Sequence, residues 1–341
     1  MRTPALPRLL AALVLCAMLG GCAAQRSDDS LRLGYFPNVT HAQALYGIQN
    51  GLFEASLGDG NFTKASFNAG PAAIEALLTR QVDATYVGPG PVLNAWARSG
   101  DTVRIIAGAA SGGARFIVQP GLDLTRDADL GGKTFASPQR GNTQDISLKA
   151  YLQSRGHATD DRGGDVRVIN AGNPDILTLF VQGEVDGAWV PEPWATRLLT
   201  DGHGRELLDE RSLWPGGQFA TTLLVTTKQY LAEHPDRIRA LLAAHVQATQ
   251  EVQPGGPAVL AAINDGIAAA TGKRLGTELL ATAFTGLNFT YDPLVSSIAS
   301  FGEKAKALGL VAGGPASLSE VVTLAPLDEV LARQGLAGVP R

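Results

Sequence analysis

The sequence predicts an α/β fold of two lobes, each built on a mostly parallel sheet, joined by two crossover segments. Three observations lead there. Strand-like and helix-like segments alternate after residue 30, which is the pattern of βαβ units. One helix–turn–strand pattern recurs, with Pro71 to Val87 resembling Pro174 to Val190 at an offset of 103 residues. A single recurrence of this length points to two similarly built lobes rather than a solenoid, whose repeats are far shorter. The 341 residues match about two domains of ~150 residues, and 40 Gly and 19 Pro supply many tight turns.

Composition removes several classes. With 45% hydrophobic and 18% charged residues the chain is not disordered. A net charge of −4 and no long basic run argue against a nucleic-acid partner. Two cysteines make neither a disulfide framework nor a Cys-rich zinc site; no metal and no cofactor is expected.

The chain begins with Arg2 and Arg8 around a short leader, then an apolar run from Leu9 to Leu19, then Gly20, Gly21 and Cys22. That order reads as an export signal, 1–21, too short to span a bilayer. Leu19-Gly20-Gly21-Cys22 resembles a bacterial lipobox, which implies cleavage before Cys22 and acyl chains on it. The mature protein would then be lipid-anchored at the cell envelope, with 22–30 as a polar tether. Removing 1–21 deletes two Arg and no acid, taking the charge from −4 to −6. Cys16 leaves with the signal, so no free thiol remains.

The elements follow in order. Leu31 to Phe36 alternates as a first strand, and His41 to Asn50 reads as a helix stopped by Gly51. Phe62 to Phe67 is a second strand. Pro71 opens a helix through Arg80, and Val82 to Val87 is a third strand ending in Gly88-Pro89-Gly90-Pro91. Val103 to Ala110 is a fourth strand. Phe116–Gln119 and Phe219–Thr227 are extended and are expected to be the crossovers. From about 221 the chain reads as helical, including 236–252, 275–284 and a helix to Leu308 started by Asp292-Pro293 as cap and first turn. The expected division is 31–113 with 221–341 as lobe 1 and 114–220 as lobe 2.

Several segments together resemble the solute-binding proteins of ABC importers, of the nitrate, sulfonate, taurine and thiamine-precursor type. They are Leu33-Gly34-Tyr35-Phe36-Pro37-Asn38, Thr40-His41-Ala42, Asn68-Ala69-Gly70-Pro71, Val82-Asp83, Gly131-Gly132-Lys133, Ser137 to Asp145, and Val185 to Trp194. The resemblance covers about residues 31–330. It implies the type II periplasmic-binding-protein fold, a monomer, and partnership with a permease and ATPase. It leaves the ligand open.

Candidate binding residues come from the chemistry of oxyanion capture, which needs neutral donors and helix N-termini converging on one point. Ligands of open α/β sheets sit outside the carboxyl ends of the strands. Gly141, Asn142 and Thr143 stand at such a helix start, with capping as the alternative role and Arg140 either a ligand cation or a surface residue. Asn38 and His41 follow the first strand, with Thr40 as an N-cap. Asn68 and Gly70, then Gly88 and Pro89, occupy equivalent strand ends. Ser111 and Gly112 lie at the first crossover as hinge, donor loop or both. Trp189 could wall an organic tail, and Tyr35, Phe36 and Trp189 could supply the aromatic faces a pyrimidine needs, while Trp194 reads as packing. Glu192 either accepts from a ligand amine or hydroxyl, as taurine would offer, or pairs with an Arg.

The lead expectation is capture of an aliphatic sulfonate or taurine. Nitrate, bicarbonate or a thiamine-precursor pyrimidine is the alternative. An enzyme is disfavoured, because the sequence contains no hydrolase elbow, His-Glu-x-x-His, P-loop or dinucleotide fingerprint.

Overall fold

A computed structural model describes residues 30–311 and 320–340. The export signal, lipobox and most of the tether lie outside the described residues. Chain order begins with β1 (Leu31–Tyr35), α1 (Ala42–Gln49), α2 (Leu52–Leu57), β2 (Phe62–Ser66), α3 (Gly70–Leu78), β3 (Ala84–Val87), α4 (Pro89–Ser99) and β4 (Val103–Gly112). The middle section holds β5 (Ala114–Val118), β6 (Thr134–Pro138), α5 (Thr143–Ser154), β7 (Arg167–Ala171), α6 (Asn173–Val181), β8 (Gly187–Pro191), α7 (Trp194–Thr200) and β9 (Arg205–Asp209). The chain then returns through β10 (Ala220–Thr227), α8 (Lys228–Glu233), α9 (Pro235–Val252), α10 (Pro257–Thr271), α11 (Thr277–Thr285), β11 (Leu287–Phe289), α12 (Val295–Ala307) and α13 (Ala325–Arg333).

Two sheets result. The first has the order β11-β4-β10-β3-β1-β2 and the second β7-β6-β8-β5-β9. Without β11, the two orders are the same read from the parallel edge. In the first sheet β1 pairs in parallel with β2 and β3, and β10 runs antiparallel between β3 and β4. In the second β6 pairs in parallel with β7 and β8, and β5 runs antiparallel between β8 and β9. We refer to each sheet with its helices as a lobe.

The sequence repeat has a physical counterpart. Asp83 Oδ2 accepts the backbone N–H of Arg32 at 2.8 Å, while the Asp83 N–H donates to the Arg32 carbonyl at 2.8 Å. Asp186 does the same for Thr134, at 2.8 and 2.7 Å. A carboxylate at the turn before a strand thus locks the start of the neighbouring parallel strand in both lobes. In the first lobe Arg32 also clasps Asp83 with its guanidinium.

The first lobe buries both faces of its sheet, as a parallel core must. Alternate residues divide between the two sides. Tyr86, Ile106 and Leu224 pack with Leu45, Leu241 and Ile263 of α1, α9 and α10. Their neighbours Val87, Ile105, Leu223 and Val225 pack with Ile74, Leu93 and Phe301 of α3, α4 and α12. One polar chain is sealed inside. Tyr86 Oη donates to His245 Nδ1 at 2.8 Å, and His245 Nε2 donates to the Gly108 carbonyl at 2.8 Å. Burial pushes the His245 pKa down to about 4, so the ring is neutral and the carbonyl fixes its tautomer.

Three sequence expectations are corrected here. Phe116–Gln119 and Phe219–Thr227 are extended as expected, but they are not themselves the crossings, since most of each lies inside a sheet, in β5 and β10. The first crossing occurs at Gly113, between β4 and β5, and the return runs through 210–219. Gly112 and Gly113 have φ of +78° and +68°, a conformation glycine adopts without Cβ strain. The stretch from 221 starts as strand, because its apolar residues fill the gap between β3 and β4. Asp292 does not cap a helix that Pro293 begins; its Oδ1 accepts from Leu294 N at 2.8 Å in a turn, and α12 starts at Val295.

The return segment is pinned by Glu210, 1% exposed. Its carboxylate accepts from Ser147 Oγ at 2.7 Å, Trp189 Nε1 at 2.7 Å and Trp214 Nε1 at 3.3 Å. Burial raises its pKa, with those donors and Lys304 opposing. The Lys304 ammonium sits 3.7 Å from the centroid of the Trp214 ring.

Candidate functional site

The carboxyl ends of the parallel strands of both sheets face one small pocket. From the first lobe come Phe36, Asn38, Thr40 and His41 after β1, Asn68 and Ala69 after β2, and Gly88 after β3. Thr221 and Thr222 reach it from the start of antiparallel β10. The second lobe supplies Asn142, Thr143 and Gln144 after β6, Asn173 after β7, and Pro191 at the end of β8. The space is about 20 Å³, enough for one water-sized group.

The chemistry of this lining is uniform. Every polar side chain is a carboxamide, a hydroxyl or an imidazole, and none carries a formal charge when His41 is neutral. Helices α3, α4, α5 and α6 all begin at or beside it, at Gly70, Pro89, Thr143 and Asn173, which places the positive ends of their dipoles at the pocket. His41 is 2% exposed and stacks on Phe36 with ring centroids 4.3 Å apart. Desolvation lowers its pKa to about 3. Its Nδ1 accepts from the Phe36 backbone N–H at 3.2 Å, so the neutral ring carries its proton on Nε2 and is a donor. Asn173 is 5% exposed, and its Oδ1 is buried with no hydrogen-bond partner. An unpaired buried carbonyl oxygen costs about 1–3 kcal/mol, which an N–H or O–H donor of a ligand would recover.

A carboxylate outside the pocket builds the α5 approach. Asp145, fully buried, accepts from Ser137 Oγ at 2.9 Å, Gly141 N at 2.8 Å, Asn170 Nδ2 at 2.8 Å and Lys149 Nζ at 3.1 Å. Those bonds hold the 137–142 turn so that Asn142 caps α5, its Oδ1 accepting from Thr143 N at 2.9 Å. The sequence suggested this loop but not its anchor.

The lobes meet around the pocket. Gly90 N donates to Thr143 Oγ1 at 3.2 Å, and Trp194 Nε1 donates to Asn38 Oδ1 at 3.1 Å. A Cβ on Gly88 would stand 2.2 Å from Thr143 Oγ1, and one on Gly70 would stand 2.2 Å from Pro91 Cγ and 3.2 Å from Asn142 Oδ1. Glycine is therefore required where the two lobes come closest.

Outward, the pocket shares Asn38, Asn68 and Asn173 with a chamber of about 490 Å³. Phe67, Trp194, Ile267, Leu275 and Leu279 form its apolar walls, and Arg197, Asp201, Lys273 and Arg274 also line it. The Arg197 guanidinium lies 5.0 Å from the centre of the Trp194 ring.

Of the sequence-predicted residues, Asn38, His41, Asn68, Gly88, Asn142 and Thr143 come together at the inner pocket. Gly70 and Pro89 are buried just behind it at the starts of α3 and α4. Gly141 lies one step back, its N–H taken by Asp145. Tyr35 is corrected: it belongs to the core of the first lobe. Trp189 is likewise no ligand wall, since it is fully buried against Phe116 and donates to Glu210. Glu192 is fully buried, faces Arg115 at 3.1 Å and accepts from Thr196 N at 3.1 Å. Its role is the Arg pair, with burial raising its pKa and Arg115 opposing. Ser111 and Gly112 serve the crossover, Ser111 Oγ accepting from Phe219 N at 3.2 Å and the Gly112 carbonyl from the Thr221 hydroxyl. Arg140 points to Asp161 at 3.0 Å and is largely exposed.

Sequence reasoning missed Asn173, Gln144, Thr221 and Thr222, and took Trp194 for packing. Asn173 could have been found, since the 103-residue offset pairs it with Gly70.

Two α/β lobes of one strand order, crossed by two chain segments and closing on a donor-lined pocket, define the periplasmic-binding-protein fold. Solved structures agree: the alkanesulfonate-binding protein of Xanthomonas axonopodis pv. citri, bound to MOPS, superposes with a TM-score of 0.71 at 20% identity, covering 87% of this chain and 99% of that one. The nitrate-binding protein of Synechocystis PCC 6803 gives 0.73 at 15%, covering 89% of each. The chain belongs to the NMT1-like family, which matches over residues 24–264. The taurine-binding periplasmic protein of Escherichia coli strain K12 is 25% identical over 184 residues, 54% of this chain and 55% of that protein. The chain thus spans about half the length of the curated relatives it matches.

Proposed function

We propose that the protein is the extracytoplasmic solute-binding component of an ABC importer. It captures a small organosulfonate-type anion between its lobes and delivers it to a permease driven by an ATPase. The observation that carries this is the inner pocket, where four helix starts and uncharged side-chain donors converge. A ring of neutral donors binds a monovalent oxyanion without a buried countercharge, and releases it without breaking an ion pair. Taurine, alkanesulfonates and nitrate are what the named relatives bind, which supports the anion class. Nitrate or bicarbonate is the second reading, favoured by the small inner volume; it leaves the outer chamber to water.

Binding and release require the lobes to part. Opening breaks Gly90–Thr143 and Trp194–Asn38 and turns about Gly112–Gly113 and the 210–219 return, a hinge motion. The protein is exported by residues 1–21 and anchored by lipid on Cys22. Cys22→Ser should leave it soluble and unlipidated, and continued membrane attachment would refute the anchor.

A thermal-shift screen of sulfonates, nitrate, bicarbonate and pyrimidines tests the ligand class. A ligand at 100 times its Kd stabilises by about 2.7 kcal/mol. The absence of any shift across the sulfonates refutes the lead ligand, and consumption of a bound solute refutes a pure binder.

A further inference from the structure

We propose that the ligand carries two anionic groups: an oxyanion head held in the inner pocket and a second anionic group, at the far end of an organic spacer, met by Lys273 in the outer chamber. The proposal rests on the anion-capture reading and names its substrate class, an ω-sulfocarboxylate or a close analogue.

Three observations carry it. The first is volume. The inner pocket holds only a terminal group, whereas the chamber continuous with it is about 490 Å³, the liquid share of roughly 16 water molecules. A ligand seated by its head at Asn38, Asn68 and Asn173 must extend its body into that chamber. Phe67, Trp194, Leu275 and Leu279 line the chamber with apolar surface that suits a carbon spacer.

The second is where charge is placed. No charged side chain lines the inner pocket, yet three cations line the chamber, Arg197 from α7 of the second lobe and Lys273 and Arg274 from the first. Asp201 is the one acid among them. A head-only ligand gives those cations nothing to recognise.

The third is pairing. Arg197 is ion-paired with Asp201 at 2.9 Å, and Arg274 with Asp265. Lys273 makes no ion pair among the described residues. Its backbone is nevertheless fixed, because Thr271 Oγ1 accepts the Lys273 N–H at 3.3 Å and donates to its carbonyl at 3.1 Å. The turn between α10 and α11 thus brings Lys273, exposed and without an ion pair among the described residues, to the chamber wall.

The test is calorimetric titration of the purified protein with length-matched pairs: propanesulfonate against 3-sulfopropanoate, hexanesulfonate against 6-sulfohexanoate, and toluenesulfonate against 4-sulfobenzoate. At least one sulfocarboxylate should bind about tenfold or more tighter than its partner at low and physiological salt. Lys273→Gln should erase that preference while leaving the monoanion's affinity within about twofold. Gly276→Trp supplies a second variant. Gly276 lines the chamber at a negative φ, and a Cβ there meets nothing within 4 Å. It should weaken the six-carbon and aromatic ligands while sparing propanesulfonate. Equal affinity within every pair overturns this proposal and leaves anion capture standing. A preference that survives Lys273→Gln overturns it too. A preference seen only in association rates and lost at physiological salt assigns Lys273 to electrostatic steering, and also overturns it. Failure of every sulfonate to bind overturns the underlying reading together with the proposal.

Discussion

Gly88→Ala should weaken ligand binding while sparing the fold. Gly88 has φ −75° and ψ 162°, which alanine adopts without strain. The obstacle is steric: the new Cβ would stand 2.2 Å from Thr143 Oγ1, 3.3 Å from Thr143 Cβ and 3.1 Å from the Thr221 carbonyl. The Thr143 hydroxyl cannot simply rotate away, because the residue is 1% exposed and the hydroxyl accepts from Gly90 N at 3.2 Å. Overpacking of this kind costs about 1–3 kcal/mol, and the larger share falls on the closed arrangement, where α5 of the second lobe touches Gly88, because the 3.1 Å contact with the Thr221 carbonyl lies within the first lobe and is the milder one. Converted at about 1.4 kcal/mol per decade, the affinity for the best sulfonate should drop roughly 5- to 150-fold. The midpoint of ligand-free unfolding should barely move. The double variant Gly88→Ala/Thr143→Ala should recover most of the loss relative to Thr143→Ala alone. Calorimetry and ligand-free melting of the four proteins measure the cycle. If Gly88→Ala lowers the ligand-free melting point in proportion to affinity, or if Thr143→Ala brings no recovery, the contact does not form on closure and the reasoning fails.

Three further outcomes follow from the same structure. Asn173→Ala should cost about tenfold in affinity with no loss of stability, since its Oδ1 has no internal partner; a destabilised, normally binding variant would contradict this. Asp145→Asn should destabilise by about 3–5 kcal/mol in urea unfolding, because Lys149, itself 5% exposed, loses its buried counter-ion; a change under about 1 kcal/mol would show the cluster is not held by charge. His41 and His245, pushed down to about 3 and about 4 from 6.5, stay neutral in the fold while the unfolded chain takes up protons below pH 6.5. Stability is therefore complete above that pH and falls as pH drops towards the folded values, by about 2 kcal/mol per histidine at pH 5. The raised pKa values of His157, Glu192 and Glu210 act in the opposite sense, so the comparison is made against His245→Gln, which should lose less stability than the wild type between pH 8 and pH 5; an equal loss would refute the assignment.

Local punctuation made the strand ends legible. Asn68, Gly88 and Asn142 sit where glycine, proline and asparagine interrupt apolar runs, and a parallel sheet turns such interruptions into one rim. The recurrence around Asp83 and Asp186 was equally readable, since each carboxylate performs the same local task. Faces were not readable. A strand's period of two separates Tyr35 from Phe36 but cannot say which side meets the pocket, and here Phe36 does. Glu192 and Trp189 were misassigned to the ligand because their partners, Arg115 and Glu210, lie far off in sequence. Strand β10 read as an extended crossover because nothing local announces that it will be inserted between β3 and β4. The α10–α11 turn carries two of the chamber's three cations, Lys273 and Arg274, from more than two hundred residues beyond Asn68, with no motif to mark it.

The placement of β10 also dictates an order of assembly. All five strands of the second sheet lie in one uninterrupted stretch, Ala114 to Asp209, so that sheet can complete itself as soon as the stretch is available. The first sheet cannot. Until Ala220–Thr227 arrives, β3 and β4 have no partner between them, and Tyr86, Val87 and Ile105 present bare apolar edges. A chain that emerges from its amino end must therefore hold its first hundred residues unfinished while the middle stretch completes its own sheet, and the earlier sheet is the last to close. Those first strands are therefore the segment most exposed to mispairing while the chain folds.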